Sequence, residues 1–221
     1  MQKLKNVILK TNSVDEFKLK CSRIFLYLCV LFFAVTIIFN VSYSVAPVSG
    51  LSMYPTINDS YVYGDSDSQD RVVLNYIKNY KRGDIIVAKK TYEADGEAYI
   101  YVIKRLIAVG GDRLTFDISG NIYINGELLV EDYVNSNKAG LYNKIQNLKA
   151  VKPEFFEGEE LVIPKNYVFY LGDNRGASTD CSNFGPVKSN EIVAKADFLI
   201  RSGENFFLSI LKQIFNGGRL W

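Results

Sequence analysis

The feature that most constrains this chain is an uncharged run near its N-terminus, residues 24–46. Up to residue 39 this run is apolar except for Tyr27 and Thr36. At a rise of about 1.5 Å per residue, roughly 20 such residues cross the hydrocarbon core of a bilayer. We therefore predict a transmembrane anchor over residues 24–46, followed by a separate domain over residues 47–221.

Two other interpretations of the uncharged run stay open. A buried core helix would seldom be this long without a polar face. A cleaved secretory leader could exit at the small residues near Val45 and Ala46, but the apolar stretch of such leaders is usually about 7 to 15 residues long. The run is longer than that, and more than twenty residues precede it. Its length favours a retained anchor.

The charges that flank the run predict its orientation. Residues 1–23 hold six basic and two acidic side chains, a net charge of +4, while the rest of the chain carries −2. By the positive-inside rule, residues 1–23 are predicted to be cytoplasmic and residues 47–221 extracytoplasmic. The acidic remainder has no clustered basic stripe, so we expect the lipid bilayer as a partner and no nucleic acid.

We predict no disulfide, metal ion or cofactor for the exported portion. Cys21 and Cys29 lie at or within the apolar run, which leaves Cys181 alone outside it. Aspartates alternate along residues 64–70, but the twelve-residue spacing and terminal glutamate of a calcium loop are missing. We interpret this stretch as a solvated loop.

The exported portion is predicted to be mostly antiparallel β-sheet. Runs rich in β-branched and aromatic residues occupy residues 71–76, 84–88, 100–109, 114–118, 121–124, 161–163 and 167–171. Gly and Asn between several of these runs indicate tight turns. We expect residues 113–170 to form an inserted β subdomain, although the mixed and polar residues 130–160 predict no particular element. Residues 206–215 are apolar but too short to span a bilayer, so they pack on the domain or lie in the lipid interface, and we expect packing.

The chain contains no histidine, which excludes every catalytic site that pairs serine with histidine. A nucleophilic serine then needs another base, and lysine is known in that role. Ser52 follows Gly50 in a segment that Pro55 stiffens, and Lys104 lies in an apolar strand where burial would lower its pKa. Considered one at a time, Ser52 is explained at least as well as an ordinary serine in a turn. Lys104 is explained at least as well as a strand lysine that faces water.

A third segment, residues 171–185, favours a catalytic role for Ser52 and Lys104 over these ordinary explanations. It gathers acids, an arginine, small residues and hydroxyls directly after a hydrophobic strand, where loops on a rigid scaffold often carry site residues. The chain now resembles the bacterial type I signal peptidases, which are membrane-anchored Ser/Lys proteases. Four matching segments follow one another in the family's order: residues 52–56, residues 82–87, residues 104–105 with 110–112, and residues 172–175 with 178 and 180.

The resemblance implies a role for each matched position. Ser52 would be the nucleophile and its backbone N–H an oxyanion donor, while Lys104 would be the general base. Ser178 would hydrogen-bond to the Lys104 ammonium and orient it. The framework of the site would be held by three charged residues, Arg105, Asp173 and Asp180.

Some positions depart from the family pattern. Gly50 stands where some members supply a serine hydroxyl to the oxyanion hole, so the second oxyanion donor is not identified. Cys181 and Ser182 replace the usual Ser-Arg pair after the acid. Gly176 stands where an acidic or amide residue is common.

Members of the family cleave exported preproteins after small residues at the first and third positions before the scissile bond. Two shallow apolar pockets beside the nucleophile would admit alanine and exclude larger side chains. We expect Met53, Ile103 and Gly50 to line this substrate site, with core packing as the alternative for Met53 and Ile103.

The resemblance thus implies a membrane-bound serine endopeptidase that removes N-terminal signal peptides with a Ser/Lys dyad. One competing function is that of a self-cleaving repressor-type Ser/Lys protease, which the apolar run and the lack of a DNA-binding helix pair disfavour. The other is a signal-peptidase-like factor dedicated to pilus or surface-protein assembly, which would bind its substrate rather than cleave it. That role would be most natural if Ser52 or Lys104 were missing, and both are present.

Overall fold

The computed structural model of the protein describes residues 2–77, 79–91, 98–134 and 138–215. The chain divides into two compact units, Met1–Ser42 and Tyr43–Trp221.

The first unit is one long helix, α1, over Gln2–Ser42. Its part Glu16–Ser42 contains an 18-residue stretch with a mean hydropathy of 2.6 and no buried side chains, and in the described part of the chain it alone has the length and apolar character to cross a membrane. The helix ends earlier than the predicted anchor. Residues 43–46 belong to a strand instead, where each of them pairs with a residue of another strand. Strand pairing, which the uncharged composition does not reveal, sets this boundary.

The second unit is built mainly from short strands. Its elements are β1 (Tyr43–Pro47), β2 (Arg71–Asn75), β3 (Ile85–Thr91), β4 (Tyr99–Val109), β5 (Arg113–Phe116), β6 (Ile122–Ile124), β7 (Glu127–Leu128), α2 (Ala139–Val151), β8 (Phe156–Glu157), β9 (Glu160–Val162), β10 (Tyr167–Leu171), α3 (Cys181–Phe184), β11 (Val187–Lys188), β12 (Ile192–Ile200) and α4 (Phe206–Phe215). The 3-10 turns are Ser66–Ser68, Pro153–Phe155 and Ser189–Glu191.

A seven-stranded sheet has the order β1-β2-β12-β3-β4-β10-β11, and all its pairings are antiparallel. The prediction of mostly antiparallel β structure is therefore confirmed. Strand β4 lies between β3 and β10, and its C-terminal half is buried. The β-branched run over residues 100–109 predicted a largely buried strand, but Ile100 and Tyr101 are exposed. Arg105 pairs with Ile85 on one side and with Leu171 on the other. The residues after Leu171 therefore begin beside the middle of β4.

A smaller five-stranded sheet, in the order β7-β6-β5-β9-β8, lies within the predicted insertion. Strand β10, which the prediction also placed in the insertion, pairs with β4 of the larger sheet instead. Helix α2 occupies part of residues 130–160, for which the sequence predicted no element. Its buried residues Leu141, Ile145 and Leu148 share one core with Leu106 of β4, so the insertion packs directly on the larger sheet.

Candidate active site

The two residues singled out by the sequence lie in direct contact. The side-chain nitrogen Nζ of Lys104 is 2.7 Å from Ser52 Oγ and 2.9 Å from the carbonyl oxygen of Ile103. Lys104 projects from the central strand β4 and is only 4% exposed. A lysine amine at this distance from a serine hydroxyl is placed to exchange a proton with it.

Burial gives Lys104 an unusual proton affinity. It lowers the pKa of Lys104 from the usual 10.5 to about 8. The carboxylate of Asp180 raises this pKa and the ammonium of Lys90 lowers it, but both effects are smaller than that of burial. Roughly a tenth of the molecules therefore carry a neutral amine at pH 7, and most do so above pH 9.

Amide side chains hold the loop of Ser52 from two directions. On one side Asn58 Nδ2 donates to the carbonyls of Val48 and Gly50, at 2.8 and 2.9 Å. On the other side the backbone N–H of Asn174 donates to the carbonyl of Ser52 at 3.1 Å, and its Nδ2 donates to that of Leu51 at 3.0 Å. Gly50 itself has φ +84°, a conformation that favours glycine.

A buried ion pair fixes the strand residue next to the lysine. Arg105 donates from Nε and Nη2 to the two carboxylate oxygens of Asp173, at 2.8 and 2.6 Å. The same carboxylate accepts a hydrogen bond from Thr56 Oγ1. These contacts tie together three segments of the predicted site: strand β4, the Ser52 segment and the segment after β10. Arg105 and Asp173 thus lie where the sequence analysis expected framework residues.

Asp180 organises the far end of the segment after β10. One carboxylate oxygen accepts from the backbone N–H of Gly172 at 2.8 Å. The other accepts from the hydroxyl and the backbone N–H of Ser182, at 2.7 and 3.1 Å, and so caps helix α3. The hydroxyl of Ser182, in the pair that departs from the family pattern, therefore satisfies this carboxylate in place of an arginine.

The predicted hydrogen bond between Ser178 and Lys104 is not formed. Ser178 Oγ is buried and has no hydrogen-bond partner among the described residues, because the amine of Lys104 is directed at Ser52 and at the Ile103 carbonyl. Ser178 nevertheless lies close to the nucleophile. A Cβ atom added to Gly172 would overlap both Ser178 Oγ and the carbonyl oxygen of Ser52, so Gly172 allows these two serines to approach each other.

Helix α2 and the residues before it support the site in a way the sequence did not indicate. Lys144 of α2 donates to the carbonyls of Arg175 and Ser178, at 2.8 and 2.9 Å. Glu131 forms a buried ion pair with Arg175. Each of these contacts joins residues that are at least thirty positions apart in the chain, so no local pattern predicts them.

A groove of about 570 Å³ opens beside the dyad. Ser52, Lys104 and Ile103 line it, together with apolar residues that include Ala46, Val48, Val72, Leu74, Val87 and Ala194. Two of the three predicted substrate-site residues lie elsewhere. Met53 is 1% exposed and packs in the core with Ile57 and Ile85. Gly50 is not among the lining residues and acts through its backbone conformation.

With this geometry established, the relatives of the chain become informative. The family profile described as "Signal peptidase, peptidase S26" matches residues 20–201. The chain belongs to this family. It is 31% identical over 153 residues to signal peptidase I of Bacillus amyloliquefaciens, covering 69% of this chain and 70% of the relative. It is also 31% identical over 163 residues to signal peptidase IB of Staphylococcus aureus, covering 68% and 74%.

A solved signal peptidase I from Enterococcus faecalis is 28% identical and covers 54% of this chain and 97% of its own. Its TM-score of 0.36 is too low to support a conclusion about the fold. Family membership makes the chain a type I signal peptidase, a serine endopeptidase that processes signal peptides. In the described ranges, no group of three or more cysteine, aspartate or glutamate side chains is arranged to hold a metal ion.

Proposed function

We propose that Ser52 and Lys104 are the catalytic dyad of this peptidase. The observation that carries the proposal is the 2.7 Å contact between Ser52 Oγ and a buried amine whose pKa is about 8. Neutral Lys104 removes the hydroxyl proton as Ser52 Oγ attacks the scissile carbonyl carbon. The resulting ammonium then protonates the leaving amine, which departs as the C–N bond breaks and an acyl ester on Ser52 remains.

The second half of the reaction reverses these roles. The amine of Lys104, neutral again, takes a proton from a water molecule that attacks the ester carbonyl. It returns this proton to Ser52 Oγ as the ester bond breaks and the signal-peptide carboxylate leaves. The backbone N–H of Ser52 serves as an oxyanion donor in both halves, and such a donor contributes about 3 kcal/mol to transition-state stabilisation.

Arg105, Asp173 and Asp180 act in this proposal as positioning residues. None of the three contacts Ser52 Oγ; they hold the segments that carry the dyad. Ser178 lies beside the carbonyl of Ser52 with an uncommitted hydroxyl. That hydroxyl becomes a partner for the Lys104 ammonium once the serine proton has been transferred.

The substrates we propose are exported preproteins with small residues before the cleavage site, and the groove beside Ile103 is where their chain binds. Its apolar lining favours alanine over charged side chains. We also propose that α1 crosses the bilayer with residues 1–23 in the cytoplasm, which leaves the β-rich unit outside. The basic residues of that segment support this orientation. We propose no nucleic-acid partner.

The test is cleavage of a peptide with an Ala-X-Ala exit by the full chain in detergent. We expect Ser52→Ala and Lys104→Met each to lower kcat by at least roughly 10⁴-fold. Ser60→Ala, which changes an exposed serine that does not line the groove, is the control and keeps its activity. Cleavage by Ser52→Ala at the native rate would contradict the dyad. A native chain that binds a pilus or surface subunit and cleaves nothing would favour the assembly-factor function instead.

A further inference from the structure

The C-terminal helix α4 is attached to the β-rich unit through polar side chains. Gln213 Nε2 donates to the carbonyl of Leu199, and Gln213 Oε1 accepts from the Leu199 N–H at 3.0 Å. Ser209, which is 1% exposed, donates to the carboxylate of Glu204 at 2.6 Å. Ser209 and Gln213 are four positions apart, so they lie on one face of the helix. That face is turned toward β12.

Most apolar side chains of α4 lie on the other side and face solvent, whereas Ile210 is partly buried. Phe207 is 73% exposed and Phe215 is 82% exposed. They form a continuous stripe at helical spacing with three further exposed residues, Leu208, Leu211 and Ile214. A surface helix of a water-soluble domain normally has the reverse arrangement, with its apolar side inward. The expected packing on the domain does occur, but it uses the polar side of the helix.

Hydrogen bonds within the chain hold both the start and the orientation of the helix. The side chain of Asn205 accepts from the backbone N–H of Phe207 at 3.0 Å and so supplies a cap at the start of α4. The two hydrogen bonds between Gln213 and Leu199 fix the rotation of the helix about its axis. These bonds keep the Gln213 side of α4 against β12 and the apolar stripe on the outer side.

Two observations indicate what covers this stripe. Glu204 is the last acidic residue of the chain, and the residues after it include Lys212 and Arg219. Lys212 lies on α4 with its side chain largely exposed and paired with Glu204, and Arg219 follows in the sequence. Basic residues near an apolar helical face suit the anionic headgroups and acyl chains of a phospholipid surface. In addition, the same chain carries α1, a helix with the length and hydropathy to cross a membrane. The proposed crossing of the bilayer by α1, on which this inference rests, would keep a lipid surface near the β-rich unit at a high effective concentration.

We propose that α4 is an interfacial membrane-binding helix, which inserts its apolar stripe about 5–10 Å into the headgroup and acyl boundary. This second contact would stop the β-rich unit from rotating freely about the end of α1. The proposal does not rest on the catalytic roles of Ser52 and Lys104, and its test involves no cleavage.

Fluorescence quenching in vesicles tests the proposal. Trp221 is the one tryptophan of the chain, so Trp221→Phe removes the background emission. Combined with it, Leu211→Trp places a reporter on the stripe. Ile118→Trp is the matched control, because Ile118 is an exposed apolar residue outside α4. Each full-length variant is reconstituted into phosphatidylglycerol and phosphatidylcholine vesicles, with and without brominated acyl chains.

We expect brominated lipid to lower the emission at position 211 about twofold and to leave the emission at position 118 unchanged. Phe207→Glu with Ile214→Glu, added to the position 211 reporter, should abolish this quenching while circular dichroism stays the same. Equal emission at position 211 in both kinds of vesicle would overturn the proposal. So would a blue-shifted emission in detergent that accompanies dimerisation, because a second copy would then cover the stripe.

Discussion

The guanidinium of Arg105 and the carboxylate of Asp173 form a bidentate pair that is almost completely buried, at 2% and 0% side-chain exposure. Arg105 directly follows Lys104 in strand β4, and the aromatic ring of Tyr133 lies 3.8 Å from its guanidinium carbon. The pair therefore fixes the stretch of strand from which the dyad amine projects.

Removal of one charge from this pair should be costly. Asp173→Asn leaves the Arg105 charge buried without a counter-charge, which we expect to lower the free energy of unfolding by about 3–5 kcal/mol. Thermal unfolding of the full chain in detergent measures the loss. Glu157→Gln is the control, because Glu157 pairs with Arg113 at the surface and such pairs contribute about 0–1 kcal/mol. If the two changes lower the free energy of unfolding equally, the buried pair contributes no more to stability than the surface pair.

A single methyl group at position 172 should disable the site. The Cβ of Gly172→Ala would overlap the carbonyl oxygen of Ser52 and lie 2.6 Å from Ser178 Cβ, so the Ser52 loop must move. We expect kcat for peptide cleavage to fall about 100-fold, since small displacements of reacting groups have effects of that size. Gly140→Ala is the matched control, because nothing lies within 4 Å of its added Cβ. It should keep full activity and gain about 0.5–1 kcal/mol of stability.

The pH dependence of cleavage should respond to Lys90. The ammonium of Lys90 lowers the pKa of Lys104, so Lys90→Met should raise that pKa above its value of about 8. Only neutral Lys104 accepts the serine proton, and the rising limb of kcat/KM against pH must then move to higher pH. The two profiles should converge at high pH, where Lys104 is neutral in both proteins. Lys89→Met is the control, and an unshifted profile for Lys90→Met would contradict the coupling.

Helix α2 gives a further prediction through Lys144. Lys144→Met removes the donor to the carbonyls of Arg175 and Ser178, which we expect to loosen the segment after β10. Peptide cleavage should show kcat about 10-fold lower with KM nearly unchanged, because the groove does not include this segment. Lys149→Met, on the same helix, breaks only a contact with the exposed Glu159 and should be neutral. A rise in KM alone would indicate a binding role for Lys144 instead.

Local sequence patterns predicted the elements that depend on local chemistry. The β-branched residues around Lys104 indicated a buried strand, and the missing histidines left lysine as the base for Ser52. For Met53 the sequence left groove lining and core packing both open, because the direction of a side chain in a turn is set by packing, and the structure buries it in the core. The sequence predicted a hydrogen bond between Ser178 and Lys104. That bond depends on the direction of the Lys104 amine, which contacts Ser52 instead.

Local sequence patterns did not predict the contacts between residues that are far apart in the sequence. Helix α2 does have apolar residues at helical spacing, Leu141, Ile145 and Leu148, but Lys138 before it provides no side-chain cap and polar residues surround the segment. The hydrogen bonds of Lys144 to the segment after β10 follow only from the fold. The sequence therefore predicted the contact between Ser52 and Lys104 better than the groups that hold these two residues in place.

The way α4 is attached has a practical consequence for anyone who wants this peptidase free of detergent. A version without α1 would still present Phe207 and Phe215 to water, so it would adhere to vesicles or to itself. Trimming off α4 as well would strip the N–H and carbonyl of Leu199 of their Gln213 partners and fray the end of β12. A better route to a soluble protein is to substitute glutamate for the exposed apolar residues on the outer side of α4 and to retain Ser209 and Gln213.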